Sequence, residues 1–145
     1  MICCKIDECR RIYELLEEFT SSFYEPLEKR SIDLREYAEK LSKNAEVYIA
    51  EISGAAAGLI CFYCNDTERK EGYLASIAVK EAYRKRGIAS ALLQIMYKQC
   101  KEKGMKTIRL EVNVKNDRAI CLYEKQGWTR LTETGKSACY MVRNI

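Results

Sequence analysis

Histidine is absent from the 145-residue sequence, and proline occurs once, at Pro26. Without histidine, the protein cannot use an imidazole as a general base, and it cannot form the common zinc sites that contain histidine. Glycine is sparse, and no stretch is enriched in glycine, serine or proline, so the sequence predicts no linker and no disordered segment. The chain length then predicts a single domain that spans residues 1–145.

Long hydrophobic runs are also absent. No apolar run approaches the roughly 20 residues that a membrane-spanning helix needs. The first residues lack the long apolar stretch of a signal peptide. We therefore expect a protein that does not contact a membrane and that resides in the cytoplasm.

The sequence has little excess of either charge, because it contains 25 Lys and Arg residues and 21 Asp and Glu residues, which give a net charge of +4. This balance is too weak to indicate nucleic-acid binding, and aromatic residues are not interleaved with the basic ones. Part of the positive charge is concentrated within seven residues, at Lys80, Arg84, Lys85 and Arg86. That cluster predicts an anionic ligand nearby.

Cysteine, in contrast, is frequent, with eight residues. Cys61, Cys100 and Cys121 lie within apolar patterns, where a free cysteine acts as a small buried hydrophobe. Cys61 and Cys64 form a CxxC pattern inside a predicted strand, in which positions three apart point to opposite faces. The pattern therefore predicts neither a metal site nor a redox pair, and we expect reduced structural thiols.

The N-terminal third reads as two helices separated by Pro26. Asp7 is the predicted cap of the first helix, whose apolar residues recur at helical spacing. Asp33, followed three residues later by Glu36, resembles a capping box at the start of the second helix.

The rest of the chain alternates strands and helices. Residues 47–52 and 56–63 form a predicted hairpin around the turn signal Ser53-Gly54. Residues 73–79 form a strand with almost no polar alternation, so we expect it to be buried on both faces. A predicted helix follows and ends at Gly104, and a strand spans residues 107–114. A short helix then begins with Asn116 or Asp117 as its cap and ends at Gly127, and two last strands lie on either side of Gly135. The predicted order is ααβββαβαββ, with a βαβ unit inside a mixed sheet.

The most informative stretch runs from Ser76 to Ala89, where a strand leads through a basic turn into a helix. The first N–H groups of a helix and the positive end of its dipole form a site for an anion, particularly a diphosphate. Gly87 and Ala89 leave space for the phosphates, and the basic residues 84–86 surround them. Taken alone, the same stretch also fits a solvated loop ahead of an ordinary helix.

Two motifs resemble those of the GNAT acetyltransferase superfamily. Residues 84–89 match its pyrophosphate loop, Q/R-x-x-G-x-G/A, and residues 77–79 match the strand that precedes the loop and meets the pantetheine arm. Residues 116–128 match the pattern N-x-x-A-x-x-L-Y-x-x-x-G-F, with Trp128 in place of Phe. Both motifs occur in the family's order and separation, so the chain resembles this superfamily, including its ribosomal-protein-alanine N-acetyltransferase members. Residues 1–45 match only by their helical pattern.

The resemblance implies an α/β (α+β) fold. Its mixed, mostly antiparallel sheet would have about six to seven strands, splayed at the cofactor cleft and flanked by about four helices. It also implies acetyl-CoA as co-substrate, no metal, and a primary amine as acceptor, either on a protein or on a small molecule. Dimers are common in the family, so a homodimer is possible. A non-catalytic acyl-CoA-binding regulatory module remains the alternative. The residues expected to bind the cofactor are Ile77, Ala78, Val79, Arg84, Lys85, Arg86, Gly87, Ile88, Ala89, Ser90 and Asn116.

The resemblance also assigns catalytic roles. Tyr123 occupies the family's position for the general acid that protonates the departing CoA thiolate, with a buried helical aromatic as the alternative. Glu111, in a Leu-Glu-Val context, is the candidate base for the protonated amine, with Glu51 and Glu71 as alternatives. Asn116 could contact the cofactor, cap a helix, or do both. Aromatic residues of the N-terminal helices would wall the acceptor site or simply pack in the core: Phe19, Phe23, Tyr24 and Tyr37.

Overall fold

A computed structural model describes residues 1–25, 32–133 and 137–145 of the chain. The strands are β1 Ile2–Lys5, β2 Glu46–Ile52, β3 Ala55–Tyr63, β4 Glu71–Val79, β5 Thr107–Asn113, β6 Thr129–Glu133 and β7 Ala138–Asn144. The helices are α1 Cys9–Phe19, α2 Leu34–Asn44, α3 Ile88–Glu102 and α4 Asp117–Lys125. Pro26 and Gly135, to which the sequence assigned a break and a turn, lie outside the described residues.

The seven strands form one sheet in the order β1-β2-β3-β4-β5-β7-β6. Every neighbouring pair is antiparallel except β4 and β5, which are parallel and are connected through α3. The predicted fold class and the βαβ unit are therefore confirmed. The predicted element order was incomplete because it omitted β1, a four-residue edge strand that is too short to show a period.

A hydrophobic core lies on each face of the sheet. Helices α1 and α2 cover one face with Ile12, Leu15, Leu16, Phe19, Ala38 and Leu41. Helices α3 and α4 cover the other face with Ile88, Leu92, Leu93, Met96, Tyr97, Cys100, Ile120 and Tyr123. Cys61 packs in the first core and Cys64 in the second, which confirms that the CxxC side chains point apart. All eight thiols are free.

Cys121 does not follow the prediction of burial, because it is exposed. Helix α4 turns Ile120 and Tyr123 towards the core, and their neighbour at position 121 falls on the outer face at 100° per residue. The apolar pattern around Cys121 was therefore a poor guide to the direction of its side chain on this short helix.

Most helix ends have the capping side chain or the terminal glycine that the sequence predicts. Asp33 caps α2, accepting hydrogen bonds from the N–H groups of Arg35 and Glu36. The prediction that Asp7 caps α1 was wrong, because the helix begins at Cys9 after Glu8 and has no side-chain cap. The remaining predicted ends are confirmed, with Asn116 as the N-cap of α4 and with Gly104 and Gly127 in left-handed conformations just beyond α3 and α4.

The first turn of α3 packs directly on β3 at Gly58. A Cβ atom at Gly58 would lie 2.7 Å from Ile88 Cγ2 and 3.0 Å from Leu92 Cδ1, closer than packed atoms approach. The missing side chain thus lets the start of α3 lie against the sheet. This contact fixes where the helix N-terminus stands relative to the end of β4.

Candidate functional site

The sheet opens between its two parallel strands. Pairing of β4 with β5 runs from Glu71 and Thr107 only as far as Leu74 and Leu110. Beyond that point β4 continues to Val79 along β3, while β5 continues along β7. The facing backbone edges of the two strands are therefore left unpaired at their carboxyl ends. In open α/β sheets, ligands bind at such a position.

A β-bulge shapes β4 beside this opening. Cys61 of β3 pairs with Ser76, but the next residue, Phe62, pairs with Leu74, so Ala75 is the extra residue. A bulge disrupts the ladder locally and re-aims the side chains around it. The Ser76 and Tyr37 hydroxyls are 2.7 Å apart in a hydrogen bond, which ties the bulge to α2.

Both faces of β4 border a core, as predicted, but several of its residues are only partly buried. Leu74 and Ile77 pack against the core under α3 and α4, whereas Ala75 and Ala78 pack against the core under α1 and α2. The apolar run was read correctly as a strand, and the partly buried Ala75 and Ile77 lie beside the opening. An apolar residue that lines a cleft cannot be distinguished by sequence pattern from one in a core.

A cavity of about 220 Å³ occupies the opening. Its walls come from β4, β5, the start of β7, the N-cap and interior of α4, and the segment after α1. Glu111 and Tyr123, the predicted catalytic pair, both line it. The other lining residues are Phe23, Tyr24, Glu25, Leu74, Ala75, Ser76, Ile77, Leu110, Val112, Asn113, Asn116, Ser137 and Ala138.

Tyr123 lies on the buried face of α4 and is 5% exposed. Its ring packs at a tilt against Trp128, with 5.7 Å between ring centroids. Burial raises the pKa of the Tyr123 phenol well above its usual value, because the charged phenolate is poorly solvated there. The hydroxyl therefore stays protonated at physiological pH and can donate a hydrogen bond or a proton into the cavity.

Glu111 is the only one of the three candidate carboxylates that lines the cavity. It stands on β5 opposite Tyr140 of β7, with its side chain exposed. Glu71 instead lies 3.4 Å from the Arg109 guanidinium, and Glu51 accepts a hydrogen bond from the Cys4 thiol. Glu51 and Glu71 are thus engaged elsewhere.

The turn before α3 leaves three backbone donors without helical partners. The first intrahelical bond joins Ala91 N–H to Gly87 C=O, so the N–H groups of Ile88, Ala89 and Ser90 have no partner within α3. The N-cap, Gly87, has no side chain to cap them and has φ +77°. A Cβ there would meet no atom within 4 Å, so space is open beside the donors. This arrangement fits a diphosphate.

The basic side chains around the turn take different directions. Lys80 forms an ion pair with Glu18 of α1, so a carboxylate of the protein itself neutralises its charge. Arg84 Nε donates to the Val79 carbonyl oxygen at 3.2 Å, and the Arg86 guanidinium lies over the Tyr83 ring at 5.4 Å. Lys85 has φ +63° within the turn.

The expected cofactor-binding residues divide into three groups. Ile77 and Asn116 line the cavity. Asn116 also accepts a hydrogen bond from Ala119 N–H through its side-chain oxygen at 3.3 Å, so it caps α4 while it faces the opening. Ala78 packs against the core under α1 and α2, and Val79 packs against the core under α3. The residues of the turn, Arg84 to Ser90, lie outside the cavity lining.

Several cavity residues carried no signal in the sequence. Ser76, Asn113 and Ser137 line the cavity, although each is an ordinary polar residue of a strand or turn. Of the N-terminal aromatics, Phe23 and Tyr24 reach the cavity, whereas Phe19 is fully buried in the core. Trp128 is buried in the core.

Within the described ranges, no group of three or more Cys, Asp or Glu side chains comes together as a set of metal ligands. In the same residues no helix combines the length and the hydropathy needed to cross a bilayer.

The comparison with protein families decides the identity of the fold. The profile of the acetyltransferase (GNAT) family matches residues 10–128. The chain belongs to this family. An N-alpha-acetyltransferase from Sulfurisphaera tokodaii is 39% identical over 94 residues, which cover 58% of this chain and 56% of that protein. The chain thus spans about half the length of the curated relatives it matches.

Solved structures share the GNAT fold over almost the whole chain. The ribosomal-protein-S18-alanine N-acetyltransferase from Escherichia coli superposes with a TM-score of 0.78 at 20% identity, covering 99% of this chain and 94% of that one. The PaiA N-acetyltransferase from Thermoplasma acidophilum, solved with coenzyme A, superposes with a TM-score of 0.78 at 20% identity over the full length of both chains.

Proposed function

We propose that this GNAT-family protein is an acetyl-CoA-dependent N-acetyltransferase whose acceptor is the α-amino group of a polypeptide. The observation that carries the proposal is the cavity at the strand opening, which Tyr123 and Glu111 line together. Acetyl-CoA supplies an activated acetyl thioester, and the protein contributes binding, orientation and proton transfer. All 145 residues form this one catalytic domain in the proposal.

The diphosphate of acetyl-CoA binds at the N–H groups of Ile88, Ala89 and Ser90, with positive charge from Arg84, Lys85 and Arg86 around it. The unpaired edge of β4 leads from this turn to the cavity, where backbone groups can pair with the amides of the pantetheine arm as an added strand would. Ile77, Ala78, Val79 and Asn116 border this path. The bulge at Ala75 leaves backbone groups unpaired at the point where a carbonyl oxygen needs hydrogen-bond donors.

Tyr123 acts as the general acid. Its hydroxyl donates to the sulfur as the thiolate leaves, and its high pKa keeps the proton available at every physiological pH. Glu111 acts as the base, because a protonated amine is not a nucleophile and a carboxylate at the cavity wall can accept its proton, directly or through water.

The choice of a polypeptide N-terminus rests on two supports. Relatives that are 39% and 43% identical over 94 and 63 residues are N-alpha-acetyltransferases. In addition, Phe23 and Tyr24 after α1 line the same cavity as the start of β7, and these aromatic side chains can contact an extended chain end.

A panel of acceptors tests this proposal. The acceptors are a lysine-free peptide with a free N-terminus, the same peptide with a blocked N-terminus and one internal lysine, a polyamine and an amino sugar. With acetyl-CoA, we expect free thiol and acetylated product from the first peptide only, with mass spectrometry locating the acetyl group. Acetylation of the lysine or the small amines alone would overturn the acceptor assignment.

The same assay addresses the alternative of a non-catalytic acyl-CoA-binding module. Calorimetric binding of acetyl-CoA without product from any amine would favour that module over an enzyme. A cytoplasmic location and a homodimer also remain predictions, the second open to light scattering on the purified protein.

A further inference from the structure

A chain of hydrogen bonds connects the phosphate-binding turn to the helix that carries Tyr123. Trp128 Nε1 donates to the Tyr97 hydroxyl oxygen at 2.8 Å, and Tyr97 donates to Gln126 Oε1 at 2.7 Å. Gln126 Nε2 then donates to Ser90 Oγ at 3.0 Å. Four side chains, two from α3 and two from the residues that follow α4, thus form one continuous network.

The network begins at Trp128, whose indole N–H can only donate, so the Tyr97 oxygen accepts from it. The Tyr97 hydroxyl in turn donates its own proton to Gln126 Oε1. That fixes the orientation of the Gln126 amide, with its oxygen towards Tyr97 and its nitrogen towards Ser90. Ser90 Oγ is therefore an acceptor here, and its own proton remains available to another group.

The available proton of Ser90 lies at the third residue of α3, beside the unpaired N–H groups. Within the described residues, the Ser90 hydroxyl forms no hydrogen bond other than the one from Gln126. An anion at the start of α3 would offer an acceptor for that proton. Without Gln126, the hydroxyl could rotate to bond a carbonyl of the preceding turn instead, as serine in a helix commonly does.

Gln126 is itself held against the turn that contains Tyr123. Its backbone N–H donates to the Tyr123 carbonyl at 2.9 Å, and its carbonyl accepts from Arg143 Nε at 2.7 Å. The Arg143 guanidinium lies 4.1 Å from the centre of the Tyr97 ring, which packs the network from the outside. Gln126 therefore links the Ser90 side chain to the backbone of Tyr123 through its own hydrogen bonds.

We propose that Gln126 is a positioning residue for acetyl-CoA: it orients the Ser90 hydroxyl to donate to the diphosphate and fixes the phosphate-binding turn relative to Tyr123. The inference rests on the proposed use of acetyl-CoA by this site. Gln126 acts only through Ser90 and the backbone, and it makes no contact with the ligand.

The test compares two thioester substrates, acetyl-CoA and S-acetylpantetheine, which lacks the diphosphate. Gln126→Met keeps the side-chain length but removes both hydrogen bonds, and Gln94→Met on the exposed face of α3 is the matched control. We expect Gln126→Met to raise the KM for acetyl-CoA and the calorimetric Kd for CoA about ten-fold, since a hydrogen bond to a charged group is lost. The KM for S-acetylpantetheine and the control variant should not change. An equal rise for both substrates would show a general structural effect and overturn the proposal.

A double-mutant cycle keeps the proposal falsifiable if Gln126→Met folds poorly. Ser90→Ala removes the hydroxyl at a partly exposed position and should raise the CoA Kd to a similar extent. Combining the two changes should cost no more than Ser90→Ala alone, because Gln126 acts through Ser90. Additive losses of CoA affinity in the double variant, or an unchanged CoA affinity in Ser90→Ala, would contradict the inference. The Kd for CoA requires no turnover, so a failure of the proposed acetyl transfer would be seen separately.

Discussion

Tyr123 shows how one residue can pack in a core and also line a cavity. It is 5% exposed and packs against Trp128, yet it lines the cavity. The sequence left open whether this tyrosine is a general acid or a buried aromatic. In the structure it is buried against Trp128 and also borders the cavity where a general acid would act. Residue type and motif spacing cannot reveal such a combination, because it depends on an opening between strands that are distant in sequence.

Replacing Tyr123 with phenylalanine should lower kcat roughly ten- to a thousand-fold and leave the KM for acetyl-CoA nearly unchanged. The ring would still pack against Trp128, so the thermal midpoint should move little. Steady-state kinetics with acetyl-CoA and the best peptide check this result. An unchanged kcat would remove the phenol from the mechanism.

Glu111→Gln should lower kcat/KM for the amine, most strongly at low pH, where little neutral amine is present. Raising the pH should partly restore the rate, because free amine then forms without a base. The matched control is Glu102→Gln, at an exposed position at the end of α3. Equal rates for wild type and Glu111→Gln between pH 6 and about 9 would rule out Glu111 as the base.

At the scale of elements, the turn between β4 and α3 was the most predictable part of the site. Its glycine, its basic residues and the following helix are adjacent in sequence, so a local motif is enough to identify it. The bulge at Ala75 and the contact of Tyr37 with Ser76 could not be predicted, since they depend on pairing with β3 and α2. The same limit applies to Lys80, whose ion-pair partner Glu18 is 62 residues away in sequence.

Gly87→Ala should weaken CoA binding by about ten-fold or more, because a left-handed residue with a side chain is strained and the new Cβ enters the space beside the free N–H groups. Gly104→Ala is a matched control at the opposite end of α3, with φ +84° and equally open surroundings. Both variants should lose about 1 kcal/mol of unfolding free energy, but only Gly87→Ala should bind CoA more weakly. Equal CoA affinities in the two variants would contradict a phosphate site at this turn.

For the whole molecule, the alternation of strands and helices predicted a hairpin and a βαβ unit inside a mixed sheet, because each has local signals. The mostly antiparallel seven-stranded arrangement was implied by the resemblance to the GNAT superfamily. The first strand escaped prediction because an edge strand of four residues has no measurable period. The opposite directions of Cys61 and Cys64 were predicted from the strand pattern, and they place the two thiols in different cores. The cavity is a property of the whole sheet, since it exists only where β4 and β5 separate.

Stability should fall in alkaline solution because of buried thiol and phenol groups. Burial raises the pKa of Cys61 from 9.0 to about 12, so the folded state retains a proton that the unfolded chain loses. The associated stability is fully present below pH 9 and is lost as the pH rises towards 12, with a slope of at most about 1.4 kcal/mol per pH unit. The free energy of unfolding, measured with urea at each pH, should decline less steeply over this pH range for Cys61→Ala than for the parent protein. Identical slopes would refute the assignment.

The central claim is that one ligand reaches from the start of α3 to the phenol of Tyr123. A crystal structure with bound CoA tests it most directly, through the distance between the CoA sulfur and the Tyr123 hydroxyl oxygen. We predict the diphosphate on the N–H groups of Ile88, Ala89 and Ser90, with the sulfur within about 3.5 Å of that oxygen. CoA bound away from this turn, or with its sulfur outside the cavity, would contradict the account.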